Sequence, residues 1–185
     1  MGEFMEKDEI EARAREIMKK ITEERPCGEE SKIMRLGRRY VMISIDYFPY
    51  DIMKDLEELF GPVGDSILYR GGEKVGKRLV KDYTKIAPID NLDIFDVMSA
   101  IGWYFGWGVG RIKEENGKYV VRVYDSFEAE SYIRNQGISN KPVCHFLRGV
   151  LVGVIEEITK DICKGTELKC KAKGDEYCEF LIERK

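Results

Sequence analysis

Four side chains near the C-terminal end have the types and spacing of a metal site: Cys144, Glu167, Cys170 and Cys178. Between Cys144 and the other two cysteines lies an apolar run, Phe146-Leu147-Arg148-Gly149-Val150-Leu151-Val152-Gly153-Val154-Ile155, which reads as a buried helix. Two short alternating stretches follow, Glu167 to Ala172 and Glu176 to Ile182, around Lys173-Gly174-Asp175. They read as a β-hairpin. A helix start and both hairpin arms would then converge three thiolates and a carboxylate, a candidate tetrahedral Zn²⁺ site.

Chain geometry tests that convergence. A helix from Pro142 to about Ile162 would be roughly 30 Å long, and eight extended residues return about 26 Å. Cys170 just reaches Cys144, whereas Glu167 stops on the order of 10 Å short unless the helix ends early or bends. Glu167 and Cys170 also have opposite parity along a strand, so a bulge is needed for both to face one ion. The fourth position is therefore open to Glu167, His145 or water. His145 is turned about 100° from Cys144 if both are helical. Zinc deaminases need a second cysteine where this chain has Leu147, so that chemistry is absent. Three thiolates and a carboxylate would fill a tetrahedral shell and leave no place for activated water, which makes the site structural.

The pattern Pro142-Val143-Cys144-His145, then Gly149 to Gly153, then Glu167-x-x-Cys170-x-x-x-Gly174-x-x-x-Cys178-x-Phe180 resembles the vinyl-4-reductase-like domain. Tyr124-Asp125-Ser126-Phe127-Glu128-Ala129 is similar to that family's Ser-Phe-Glu-Ala segment. The close match covers about the last third of the chain. The resemblance implies an α+β domain that binds small, mostly apolar molecules, commonly as a homodimer. It also implies a zinc held by Cys, Glu, Cys and Cys, a role that falls on Cys144, Glu167, Cys170 and Cys178. The wider fold is similar to vesicle-tethering subunits and haem-based nitric oxide sensors. An accessory or enzymatic role in tetrapyrrole vinyl reduction, or an interaction subunit of the tethering type, are the alternative readings.

Composition narrows the field. At 185 residues with 31 basic and 34 acidic side chains, a net charge of −3 advertises neither nucleic acid nor an anionic membrane. The charged start of the chain is unlike a signal peptide, and the longest apolar run, broken by Arg148, falls short of a membrane span. A cytoplasmic, reducing location is expected, where grouped cysteines argue for metal rather than disulfides. No nicotinamide or flavin fingerprint and no nucleophile paired with a base are present.

The elements that must position the site follow from periodicity. Residues 8 to 25 place Ile10, Ala14, Ile17, Met18 and Ile21 on one helical face. That helix belongs to an N-terminal extension, residues 1–30, ahead of a ligand-binding domain at 31–185. It either docks on its own domain or serves as a dimer arm, and Pro26-Cys27-Gly28 ends it with Cys27 a bystander. Arg39 to Phe48 alternates and reads as a strand. A short helix should end at Gly61 and a long one run from about Val63 into the eighties. Gly71 to Arg78 nearly matches a phosphate-binding loop, but Arg78 stands where a hydroxyl must hold Mg²⁺. A helix whose Gly72 and Gly76 admit a neighbour is the simpler reading. Asp93 to Phe105 reads as a buried helix, Asn116-Gly117 as a hairpin turn, Ser126 as a helix cap and Pro142 as the opening of the long helix. The sum is an α+β fold, an antiparallel sheet of about five strands packed against several helices.

An apolar or aromatic ligand would then sit between helix and sheet. The aromatic residues expected near it are Trp103, Trp107, Tyr124, Phe127, Tyr132 and Phe146. Gly102, Gly106, Gly149 and Gly153, unfavourable on buried helices by about 1 kcal/mol each relative to Ala, either admit a neighbouring helix or leave room for that ligand.

Overall fold

A computed structural model describes residues 5–21, 33–86 and 92–185. Pro26-Cys27-Gly28 lies outside the described residues. Helix α1 (Lys7–Ile21) is followed by a small hairpin of β1 (Ile33–Arg35) and β2 (Arg38–Tyr40). Three helices come next, α2 (Tyr50–Phe60), α3 (Pro62–Ile86) and α4 (Ile94–Tyr104). A second hairpin, β3 (Val109–Glu115) and β4 (Lys118–Tyr124), leads into α5 (Phe127–Gln136) and α6 (His145–Thr159). Strands β5 (Cys163–Lys169) and β6 (Cys178–Arg184) close the chain.

The fold is α+β and antiparallel, but its strands do not form one sheet of five. Four pair in the order β3-β4-β6-β5, and β1 and β2 pair only with each other. Alternation does its usual work in the larger sheet: Tyr119, Val121 and Val123 of β4 and Cys178, Phe180 and Ile182 of β6 are all buried. Asn116, at φ +53°, and Gly117, at φ +75°, make the β3–β4 turn.

Residues 39–48 are the main departure from the sequence reading. The strand stops at Tyr40, and Val41, Met42 and Ile43 are exposed. Their alternation meets no strand edge among the described residues. The segment instead crosses the rim of an internal cavity and is tied to α5, where Ser131 Oγ donates to the Ile45 carbonyl at 2.6 Å and Arg134 pairs with Asp46 at 3.1 Å.

Helix α1 docks on its own chain. Ile10, Ala14, Ile17 and Met18 are buried against α4 and β3, and Arg13 of α1 and Arg111 of β3 both pair with the buried Asp96 carboxylate of α4. The apolar stripe that a dimer arm would need is thus taken up intramolecularly.

The closest element pair is α3 with α6. Gly72 and Gly76 of α3 face Gly149 and Gly153 of α6. A Cβ at Gly72 would run into the Phe146 carbonyl, one at Gly76 into that of Val150, one at Gly149 into that of Tyr69, and one at Gly153 into that of Glu73. Each of the four glycines admits the opposite backbone, so the apparent phosphate-binding loop is the middle of a helix interlocked with another.

Candidate functional site

The sequence expected α6 to open at Pro142; it opens at His145 and ends at Thr159, six residues shorter than the span from Pro142 to Ile162. Its length is therefore about 22 Å, and β5 begins soon after it, at Cys163. The return path is shortened enough to bring Glu167 back to Cys144. The parity conflict is also resolved, because the β5–β6 register shifts between Glu167 and Lys169. The bulge lets Glu167, on the strand, and Cys170, just beyond it, face the same point.

One donor atom from each of Cys144, Glu167, Cys170 and Cys178 lies within 4.8 Å of the others, and all four residues are buried. Cys144 immediately precedes α6, Cys170 ends the β5 arm, and Cys178 opens β6. Cys144 Sγ and Cys178 Sγ are 3.6 Å apart. Two sulfurs each about 2.3 Å from one tetrahedral ion would stand about 3.8 Å apart, close to that spacing. Glu167 Oε2 accepts from the Cys144 amide at 3.1 Å, while Oε1 is buried with no hydrogen-bond partner. An orphaned buried carboxylate oxygen among three sulfurs is the coordination deficit that a cation would fill.

Electrostatics points the same way. Burial and the nearby Cys170 push the Glu167 carboxyl up to about 9. Burial likewise raises the Cys144 thiol, whereas hydrogen bonds from Cys144 and Cys178 pull Cys170 down to about 2. One sulfur takes the negative charge for the group, and the other acids resist ionising beside it. A divalent cation would remove that penalty and let all four ionise. Around the cluster, Ser126 Oγ lies 3.4 Å from Cys144 Sγ, the Lys171 amide donates to Cys178 Sγ at 3.3 Å, and Asp175 accepts from the Cys170 amide at 2.8 Å. These partners orient the donors from outside. The residues present fit a metal ion.

His145 is outside the cluster. Its Nε2 lies 3.3 Å from Asp65 Oδ1 of α3, and burial lowers its pKa. Cys163, at the start of β5, is buried away from the three clustered thiols. The sequence reading gave Glu128 no role, yet it is fully buried and accepts from the Phe146 amide at 3.0 Å and the Leu147 amide at 2.8 Å. It supplies from α5 the cap that the Cys144 side chain does not give α6. The only sequence signal for this was a glutamate inside the Ser-Phe-Glu-Ala segment.

Beside the cluster, a cavity of about 850 Å³ opens between the α3–α6 pair and the sheet. Leu147, Val150, Leu151 and Val154 of α6 wall one side, and Ile112, Val121 and Val123 of the sheet wall the other. Gly102 of α4 also lines it, and a Cβ there would meet nothing within 4 Å. The glycines thus divide between the two uses the sequence allowed, Gly149 and Gly153 admitting a helix and Gly102 facing open space.

Of the six aromatic residues expected near a ligand, Trp107 and Phe127 line the cavity. Phe146 packs on both rings, 6.2 Å from Trp107 and 6.5 Å from Phe127 by centroids, without being a lining residue. Trp103 sits under Arg15 of α1, Tyr124 packs on Tyr177, and Tyr132 on Tyr50. The lining that sequence reasoning missed comes from Tyr40 to Phe48, Tyr83 and Phe105.

A four-stranded antiparallel sheet, an interlocked helix pair above it, a cavity between them and a buried Cys/Glu cluster at one end together define an α+β domain with an internal chamber. Residues 119–184, which hold all four cluster residues, match the vinyl-4-reductase domain family, and this part of the chain is a domain of that family. An uncharacterized protein of Methanocaldococcus jannaschii is 26% identical over 120 residues, a stretch just under two thirds of either chain at 64%. A second from the same organism is 26% identical over 148 residues, 80% of each chain. Among solved structures, the phenol-responsive sensory domain of the transcription activator PoxR, determined with phenol, superposes with a TM-score of 0.73 at 17% identity, covering 94% of this chain and 89% of that one. A vinyl-4-reductase family protein from M. jannaschii gives a TM-score of 0.56 at 22% identity over 100% of this chain and 99% of its own. These likenesses concern the fold.

Proposed function

We propose that the chain is a small-molecule-binding sensor or carrier domain for an apolar or aromatic ligand, with a structural zinc held by Cys144, Glu167, Cys170 and Cys178. The cavity carries the reading. Protein interiors leave few voids larger than a water molecule, so about 850 Å³ of mostly apolar-lined space is a built chamber within the size range of small-molecule sites. That the sensory domain of PoxR is phenol-responsive accords with this reading.

Zinc supports the chamber without touching the ligand. It ties the start of α6 to both arms of the β5–β6 hairpin, and α6 walls the cavity from Leu147 onward. Phenol and a medium-chain fatty acid, titrated against Trp107 fluorescence, test the proposal. Saturable binding that disappears on chelation is the expected result. Failure of any apolar ligand to bind the zinc-loaded protein would show that the aromatic cluster is only core.

The ligand-binding unit is also expected to pair as a homodimer. With the α1 stripe already covered, the exposed apolar residues Leu59, Phe60, Val63 and Ile67 along the α2–α3 junction are the surface that supports it.

A further inference from the structure

The lining of the cavity is not uniformly apolar. Arg35, Tyr40, Tyr83, Ser99, Tyr104 and Trp107 contribute polar side chains to it, and of these only Tyr83 is buried, at 2% exposure. The Tyr83 hydroxyl meets the Tyr40 hydroxyl, and among the described residues neither has another hydrogen-bond partner. Tyr83 stands on α3, a helix locked in place by α6, and Tyr40 ends β2 where the chain turns onto the cavity rim.

Two phenolic hydroxyls carry two hydrogens between them, and their mutual bond uses one. The second is left with no protein acceptor, and a buried donor without a partner is costly. Burial raises the pKa of both phenols, so the pair stays neutral and keeps that hydrogen to give. What the wall lacks is an acceptor supplied from inside the cavity.

We propose that the Tyr40–Tyr83 pair is the head-group seat of this chamber and selects a ligand whose apolar body carries one hydrogen-bond-accepting oxygen, such as an alcohol, ketone or phenol. The inference rests on the ligand-binding reading above and specifies the chemistry of that ligand. Size narrows it further. At about 30 Å³ for each water-sized group, a chamber of about 850 Å³ takes on the order of twenty-five such groups. A single-ring phenol fills about a quarter of it, so the fitting ligand has a long chain or several rings.

The test compares 1-dodecanol, 2-dodecanone and dodecane by fluorescence titration of the zinc-loaded chain. The ketone separates donation by the protein from donation by the ligand, because it can only accept. Alcohol and ketone should bind about tenfold tighter than the alkane, the effect of one net hydrogen bond. Tyr40→Phe should keep the preference, since Tyr83 still donates. The double variant Tyr40→Phe/Tyr83→Phe should lose it while binding the alkane as before. Equal affinity for all three in the unaltered chain overturns the head-group assignment, and so does a preference that survives the double variant. If the alkane binds but no preference appears, the chamber stands and its polar seat falls. If none of the three binds, the ligand-binding reading itself fails.

Discussion

The same substitution, glycine to alanine on a helix, should have opposite effects at Gly149 and Gly102. At Gly149 the added methyl would sit more than about 1 Å inside normal contact with the Tyr69 carbonyl. That carbonyl belongs to the backbone of α3 and cannot rotate aside, so the two helices must separate along their whole interlocked length. Overpacking of this kind costs about 1–3 kcal/mol and sometimes more. Contact with rigid backbone in a buried pair belongs at the upper end. Alanine's better helix propensity returns up to about 1 kcal/mol, leaving a net loss of about 2 kcal/mol. For a chain of this size that is a fall in Tm of about 4–8 °C. At Gly102 the methyl meets nothing within 4 Å, so only propensity acts and Tm should rise by up to about 4 °C. Thermal unfolding of both variants beside the unaltered chain reads the difference. Shifts of the same sign and similar size would refute the assignment of one glycine to helix contact and the other to the cavity.

Protein purified without added metal should contain about one Zn²⁺ per chain, lost in both Cys170→Ser and Cys178→Ser; full zinc content in the variants would remove the site. Burial pushes the Glu128 carboxyl up to about 8, against the two amides it accepts from. A raised carboxyl favours the protonated form in the folded chain, so its stabilisation is complete below the unfolded value of about 4.3 and is lost as pH rises toward 8. Measured against Glu128→Gln in urea, the unaltered chain should therefore weaken between about pH 5 and about pH 8, and a constant difference would contradict the shift. Sedimentation at micromolar concentration should show a two-fold dimer, with Val63→Glu shifting it toward monomer; monomer alone in the unaltered chain would reject pairing. Gly102→Leu should weaken binding of a ligand that fills the cavity, read by the same fluorescence titration, without lowering Tm.

Local signals made most elements legible. Asn116-Gly117, Ser126, Gly61 and the acidic start at Asp93 each encode a backbone conformation or cap through their own chemistry, and each stands at the expected boundary. The Cys/Glu grouping was legible from residue type and spacing, and the bulge it required is present in β5. Residues 41–48 were misread because alternation reports which side chains are apolar but not whether a strand edge is available to pair with them. Glu128 and the Tyr40–Tyr83 pair went unseen for a related reason. Their roles depend on partners 18 and 43 positions away, which no local periodicity reaches. The ends of α6 were placed too far apart because apolar content continues past both of them.

The interlock of α3 and α6 limits how this domain can respond to anything that enters it. Glycines four residues apart on each helix act as notches that receive the facing backbone, and the notches repeat at roughly one helical turn. Sliding one helix along the other by less than a turn would drive carbonyls into the ridges between notches. The pair therefore moves as one rigid bar, with Cys144 at one end of α6 and Tyr83 on the α3 side. Compliance must reside on the opposite side of the chamber, in residues 41–48, which are held to α5 by a handful of polar contacts. A bulky guest would then be read out as displacement of that strap, while the bar and the metal end attached to it keep their register.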